Sequence, residues 1–152
     1  MKRLLALLLA LLALCGCGSQ KEESGIRFYY PRRDYVYQVT GGSMAWETRD
    51  VTQADLSYLL RLYLLGPQDE SLEAAYPSGI YLESARVDGG TVTVRLSPIG
   101  NRMTDIAFTM AASCLAKTCF DITGATTLIL QSGDRGLTLE EGQLTFQDTS
   151  AS

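Results

Sequence analysis

Residue types that perform catalysis are scarce in this chain of 152 residues. It contains no histidine, which excludes Ser-His-Asp and Cys-His catalysis, histidine-ligated zinc and the commonest general base. Lys21 and Lys117 are the only lysines beyond the N-terminal segment, and neither is placed to activate a serine. Cys114 and Cys119 are too few for a structural zinc site. We therefore expect no metal, no cofactor and no catalytic residue of these classes.

Paired carboxylates, as in glycoside hydrolysis, are the one catalytic device that the composition leaves open. The candidate acids are scattered: Asp69, Glu70, Glu73, Glu83, Glu140 and Glu141. None is flanked by the apolar residues that a general acid needs. The glycine-rich stretch Ser132–Gly136 has neither the ligand spacing of a calcium loop nor a phosphate-loop pattern, so we interpret it as a turn. These residues predict a protein that is not an enzyme.

Residues 1–16 have the pattern of a secretory signal peptide. Two basic residues precede an apolar run from Leu4 to Leu14, which is shorter than the roughly 20 residues of a membrane span. The next residues resemble a bacterial lipobox, with Leu14 three positions and Gly16 one position before Cys17. Cys17 is therefore the predicted lipid attachment site, whereas Cys15 fits poorly because Leu14 would occupy the small-residue position.

Lipid attachment at Cys17 would place the mature protein at the extracytoplasmic face of the bacterial cell membrane. The alternative is an ordinary cleaved signal with incidental cysteines. Residues 17–25 then form a lipidated flexible tether, residues 26–147 one domain, and residues 148–152 a frayed tail.

The net charge of the chain is −4. An acidic domain without a basic cluster argues against nucleic acid as a partner and against electrostatic docking on anionic lipid. We therefore expect the lipid anchor alone to hold the protein at the membrane.

The stretch from Ala75 to Ser97 predicts a β-hairpin around which the rest of the chain is organised. Apolar and polar residues alternate from Thr91 to Ser97. A two-residue loop at Asp88-Gly89 or Gly89-Gly90 supplies the tight turn. Before the turn, the alternation of apolar and polar residues shifts by one position near Glu83-Ser84. A β-bulge there would keep four apolar residues on the buried face: Ile80, Leu82, Ala85 and Val87.

Two helices are predicted on either side of this hairpin. In the first, Thr52 is the expected N-cap, with Asp55 in a capping-box position, and Gly66 ends the helix. Thr104 is the expected N-cap of the second helix, and Gly124 follows it.

The two cysteines of the second helix leave two alternatives open. If the helix is continuous, Cys114 and Cys119 are too far apart for a disulfide. If it ends near Lys117, they can pair. We favour buried free thiols.

The remaining segments predict further strands, which complete the fold class. Strands are expected at Ile26–Tyr30, Tyr35–Val39, Met44–Trp46 and Ala125–Leu130, and a last hairpin around Glu140–Gly142 would pair Leu137 and Leu139 with Leu144 and Phe146. The order strand-helix-strand-strand-helix-strand, plus this C-terminal hairpin, predicts an α+β fold. We expect a single two-layer domain with two helices on one face of a small mixed β-sheet.

Aromatic residues crowd the first strands and form a candidate binding surface: Tyr29, Tyr30, Tyr35, Tyr37 and Trp46. The alternative is that they are half-buried cross-strand packing residues, which is the more frequent role of such tyrosines.

The chain resembles the GerMN domain family of bacterial envelope lipoproteins, which takes part in sporulation and spore germination. The resemblance rests on the order of Leu59–Pro67, the Tyr76–Gly79 turn, the hairpin strand Val92–Ser97, and a second helix followed by Ile122–Leu130. It covers residues from about 26 to 136. It implies a small α/β domain related to ring-building modules of envelope assemblies and no known catalytic residues.

Together these features predict a non-catalytic, lipid-anchored interaction or assembly module. Its expected partners are envelope proteins or further copies of itself, and sheet edges and the tyrosine-rich strands are the expected contact surfaces. The alternative is a lipoprotein that binds cell-wall glycan (peptidoglycan) through its aromatic side chains.

Overall fold

The computed structural model describes residues 25–34, 42–52 and 55–144. These ranges form a small α+β domain, as predicted. The secondary structure elements are, in chain order, β1 (Ile26–Pro31), β2 (Met44–Arg49), α1 (Leu56–Leu64), β3 (Leu82–Asp88), β4 (Thr91–Leu96), a 3₁₀ turn (Gly100–Arg102), α2 (Asp105–Thr123), β5 (Thr127–Ser132), β6 (Arg135–Glu140) and a second 3₁₀ turn (Glu141–Gln143).

Strands β3 to β6 form a mixed four-stranded sheet in the order β3-β4-β5-β6. β4 and β5 are parallel, and the two outer pairs are antiparallel. The predicted hairpin is present as β3–β4, with Asp88 opposite Thr91 across a Gly89-Gly90 loop and the register shift between Leu82 and Ser84. The bulge and the two-residue loop are thus confirmed.

The prediction that Val87 is buried is wrong. Val87 lies opposite Val92, which is fully buried, but Val87 itself is 45% exposed. β3 is an edge strand, and Val87 is next to the turn, so only one neighbouring strand covers it. Leu82 and Ile80, at the other end of the same segment, are buried as expected.

Helix α2 is the central element of the core. Its N-cap is Thr104, whose Oγ1 accepts a hydrogen bond of 3.2 Å from the Ala107 amide, as predicted. The helix continues past Lys117, so Cys114 and Cys119 share one helix and are buried free thiols. By length and composition α2 could cross a membrane, but half of its apolar window is buried inside the domain, which is typical of a core helix.

Helix α2 ends at Gly124, whose φ of 71° is in the left-handed region. An added Cβ would meet no heavy atom within 4 Å, so a substitution there costs backbone strain alone. We expect Gly124→Ala to lower the free energy of unfolding by about 1–2 kcal/mol, measured by chemical denaturation. Gly142→Ala is the matched control, because Gly142 has open space and no positive φ. Equal effects of the two substitutions would contradict this account.

Strands β1 and β2 form a separate antiparallel two-stranded sheet, whereas the sequence predicted one sheet. The amide of Tyr29 in β1 donates a hydrogen bond of 2.9 Å to Oγ1 of Thr118 in α2. Helix α2 therefore lies along the edge of β1 that faces away from β2. It supplies the hydrogen-bond acceptor for a main-chain amide that another strand would otherwise bind.

Helix α1 begins three residues later than predicted. The N-cap is Asp55, whose Oδ2 accepts a hydrogen bond of 2.9 Å from the Tyr58 amide. Thr52 is therefore not the cap. Both residues can cap a helix, and an Asp carboxylate additionally interacts favourably with the helix dipole.

The C-terminal hairpin is β5–β6, which places it earlier than predicted. Its turn is Gly133-Asp134, inside the stretch that we interpreted as a turn. The segment Glu141–Gln143 is a 3₁₀ turn whose Gln143 side chain binds the Glu140 amide at 3.2 Å. The predicted pairing partner Phe146 and the predicted strand Tyr35–Val39 lie outside the described residues.

Candidate interaction surface

The two faces of the β1–β2 sheet have different environments. Because side chains alternate along a strand, Phe28 and Tyr30 share one face and Tyr29 lies on the other. Phe28 and Tyr30 are fully buried in the core. Tyr29 pairs with Trp46 across the strands. Tyr29 itself is buried, at 6% exposure, whereas Trp46 outside it is 42% exposed.

Tyr29 is only 6% exposed and Tyr30 is fully buried, so the assignment of both residues to a binding surface is wrong. Tyr30 is part of the core. Its ring stacks on that of Tyr63 with centroids 4.7 Å apart and an interplanar angle of 7°. Its hydroxyl donates a hydrogen bond of 2.9 Å to the main-chain oxygen of Tyr63. Burial raises the pKa of Tyr30. The packing alternative is confirmed for Tyr29 and Tyr30.

The outer side of β1–β2 presents a cluster that we name the Trp46 face: Arg27, Tyr29 and Trp46 together with Lys117 and Asp121 of α2. The Arg27 guanidinium lies 5.5 Å from the centroid of the Trp46 ring. The rings of Trp46 and Tyr29 are 5.9 Å apart and inclined at 48°. Lys117 Nζ lies 5.6 Å from the Tyr29 ring. The face thus alternates cations with aromatic rings.

The negative charge of the Asp121 carboxylate is balanced by its neighbours within the Trp46 face. The Tyr29 hydroxyl donates a hydrogen bond of 2.7 Å to Asp121 Oδ2, and Lys117 Nζ lies 3.5 Å from Oδ1. Burial, followed by the contact with Asp121, raises the pKa of Tyr29 to about 12. Arg27 forms no ion pair with any of the described residues, so within this cluster two cations, Arg27 and Lys117, accompany one carboxylate.

The other predicted site residues are distributed as follows. Cys17, Tyr35 and Tyr37 lie outside the described residues. All six scattered acids are exposed, which gives no support to paired-carboxylate chemistry. Burial raises the pKa of Cys119 to about 12 and also raises that of Cys114, so neither thiol is poised as a nucleophile at neutral pH.

A buried ion pair between Glu47 and Arg49 was not singled out from the sequence. Both side chains are only 9% exposed. Glu47 Oε2 accepts hydrogen bonds of 2.8 Å from the amides of Gln68 and Asp69, and Arg49 Nη2 donates one of 2.6 Å to the Gly66 oxygen. The pair therefore fastens β2 to the loop after α1. The period of two in β2 places both residues on one face, but which face is the core follows only from the tertiary packing.

A cleft with a volume of about 380 Å³ opens beside this ion pair, where β2 ends and α1 passes. Arg49, Tyr58, Leu62 and Gln68 contribute to its lining. The Arg49 guanidinium is already bound to Glu47 and to main-chain oxygens. The Arg49 guanidinium is consequently not free to bind a ligand in the cleft.

The four-stranded sheet has a second exposed surface, which we name the open face. Its centre is the cross-strand row of Arg86, Thr93, Ile129 and Thr138. Residues of the other face, such as Val92 and Leu128, are fully buried in the core. Ile129 is 41% exposed at the middle of the row. The alternation of apolar and polar residues in β4 could have indicated this face. The number of strands across the face follows only from the strand order.

The described residues bring together no group of three or more His, Cys, Asp or Glu side chains that could hold a metal ion. They define a small α+β domain whose exposed regions include the Trp46 face and the open face. No protein-family model, no characterised protein and no solved structure is significantly similar to this chain.

Proposed function

We propose that this chain is a non-catalytic, lipid-anchored envelope protein whose domain is a GerMN-like interaction and assembly module. Three features support the proposal: the lipobox at Cys17, the absence of histidine from the chain, and the order of helices and strands that resembles the GerMN family. By that resemblance the module acts in envelope remodelling during sporulation or spore germination, outside the cytoplasm.

The open face is the observation that carries this proposal. Ile129 exposes an apolar side chain at the centre of a β-sheet surface, between Thr93 and Thr138 on the neighbouring strands. A β-sheet face that no element of its own domain covers can pack against a second sheet or another protein. The partner that fits such a flat surface is another protein, either an envelope protein or a second copy of the chain.

A photocrosslinking amino acid at position 129 tests the proposal in intact cells with Cys17 retained. We expect a ladder of homo-oligomers or one dominant envelope protein, identified by mass spectrometry. The same amino acid at the exposed loop position Glu70 is the control and should capture little. If position 129 yields only monomer, as the control does, the open face is not a protein contact surface.

The alternative function is that of a cell-wall glycan-binding lipoprotein, and the exposed ring of Trp46 favours it. A sugar ring can pack on an exposed indole, with Arg27 beside it as a hydrogen-bond donor. Sedimentation of the Cys17→Ser protein with purified peptidoglycan tests this alternative. Protein that remains in the supernatant would contradict it.

A further inference from the structure

We propose that the Trp46 face docks on the membrane surface and orients the domain there, with lipid headgroups as its ligand. This proposal rests on the lipid anchor at Cys17 that is part of the proposed function. It assigns these two surfaces to different partners, because the open face stays available for proteins while the Trp46 face contacts the bilayer.

The composition of the Trp46 face matches the chemistry of a membrane interface. Trp is enriched there because its ring is amphipathic, and the ring of Trp46 is exposed on this face, where it packs over the buried Tyr29. Arg and Lys place their aliphatic parts along apolar surface and their charges among the phosphates. Arg27 and Lys117 flank the two rings, so cations lie where headgroups would meet them.

The length of chain between the anchor and the domain keeps this face close to the bilayer. β1 begins at Ile26, nine residues after Cys17, and nine residues can span at most about 32 Å. Arg27 is the second residue of β1, so the Trp46 face starts at the tethered end of the domain. Attachment by a short linker makes docking intramolecular, and even a small surface with weak intrinsic affinity is then occupied.

The acidic net charge does not oppose docking at this particular face. The negative charge of Asp121 is compensated by Lys117 and by the Tyr29 hydroxyl, which leaves the charge of Arg27. Local charge within a Debye length, about 10 Å at 0.1 M salt, governs attraction to headgroups more than the sum over the chain does. In this proposal the face assists the lipid anchor, which the sequence alone predicts to hold the protein by itself.

Trp46 is the only tryptophan of the chain, so its fluorescence reports on this face alone. The full lipidated chain would be reconstituted into vesicles of phosphatidylglycerol and phosphatidylethanolamine. We expect a blue-shifted emission that is quenched by brominated acyl chains and protected from aqueous iodide. For the Cys17→Ser chain, Arg27→Gln should lower partitioning into these vesicles about fivefold, whereas Arg86→Gln, the same charge change on the open face, should not.

The outcomes separate this proposal from the proposed function. If the lipidated protein floats with vesicles but Trp46 is quenched by iodide and not by brominated lipid, docking is overturned while the anchor stands. If the Cys17→Ser protein expressed in cells remains in the membrane fraction as fully as the natural chain, the anchor itself fails. A Trp46 shift caused by peptidoglycan and absent with vesicles would overturn docking in favour of glycan binding.

Discussion

Glu47→Leu is expected to lower the free energy of unfolding by about 3–5 kcal/mol, because it leaves the buried Arg49 guanidinium without its counter-charge. The substitution also removes the acceptor for the amides of Gln68 and Asp69. The loss would be a large fraction of the stability of a single domain. Chemical denaturation followed by far-ultraviolet circular dichroism measures it.

A double-mutant cycle separates the lost ion pair from the lost packing. Glu47→Leu combined with Arg49→Met should be less destabilised than the sum of the two single substitutions, because neither charge is then left alone in the core. The exposed pair of Arg32 and Asp34 is the control, and Asp34→Asn should leave stability unchanged. Strict additivity of the Glu47 and Arg49 effects would show that the pair is not coupled.

Local features of the fold could be predicted from the sequence because they depend on neighbouring residues. The alternation of β4 and the glycines after Asp88 specify a hairpin whatever surrounds it. The phase slip near Glu83 specifies the bulge for the same reason. Thr104 and Gly124 determine the two ends of α2 through the geometry of single residues.

Non-local features could not be predicted, because they depend on which elements meet. Whether β1 joins the main sheet depends on what occupies its edge, and Thr118 of α2 occupies it. Thr52 and Asp55 can both act as the N-cap of α1, and the local sequence does not decide between them. The exposure of Val87 follows from the position of β3 at the edge of the sheet. The order of strands in a sheet cannot be predicted from the local sequence pattern.

The candidate site could be predicted only in part. Strand alternation requires that Tyr29 and Tyr30 point to opposite faces, so the two could never share one surface. Which face becomes the core is decided by Tyr63, a residue 33 positions away from Tyr30 whose ring stacks on it. Trp46 follows from the same logic once its pairing with Tyr29 is known.

Tyr30→Ala and Trp46→Ala are therefore expected to differ strongly in their effect on stability, although both remove an aromatic ring from the same small sheet. Tyr30→Ala should lower the free energy of unfolding by about 3–5 kcal/mol, as for other buried rings, because it leaves a cavity against Tyr63. Trp46→Ala should lower it by only about 1 kcal/mol, since the ring is 42% exposed and the main loss is its contact with Tyr29.

Circular dichroism is the appropriate probe for both variants, because Trp46→Ala removes the only tryptophan. Tyr30→Phe keeps the ring and loses only the hydrogen bond to the Tyr63 oxygen, so we expect a loss of about 1 kcal/mol. A Tyr30→Ala protein as stable as the Tyr30→Phe protein would contradict the ring stack. If instead Trp46→Ala destabilises the domain as strongly as Tyr30→Ala does, the Trp46 face is part of the core, and its surface role in membrane docking fails with it.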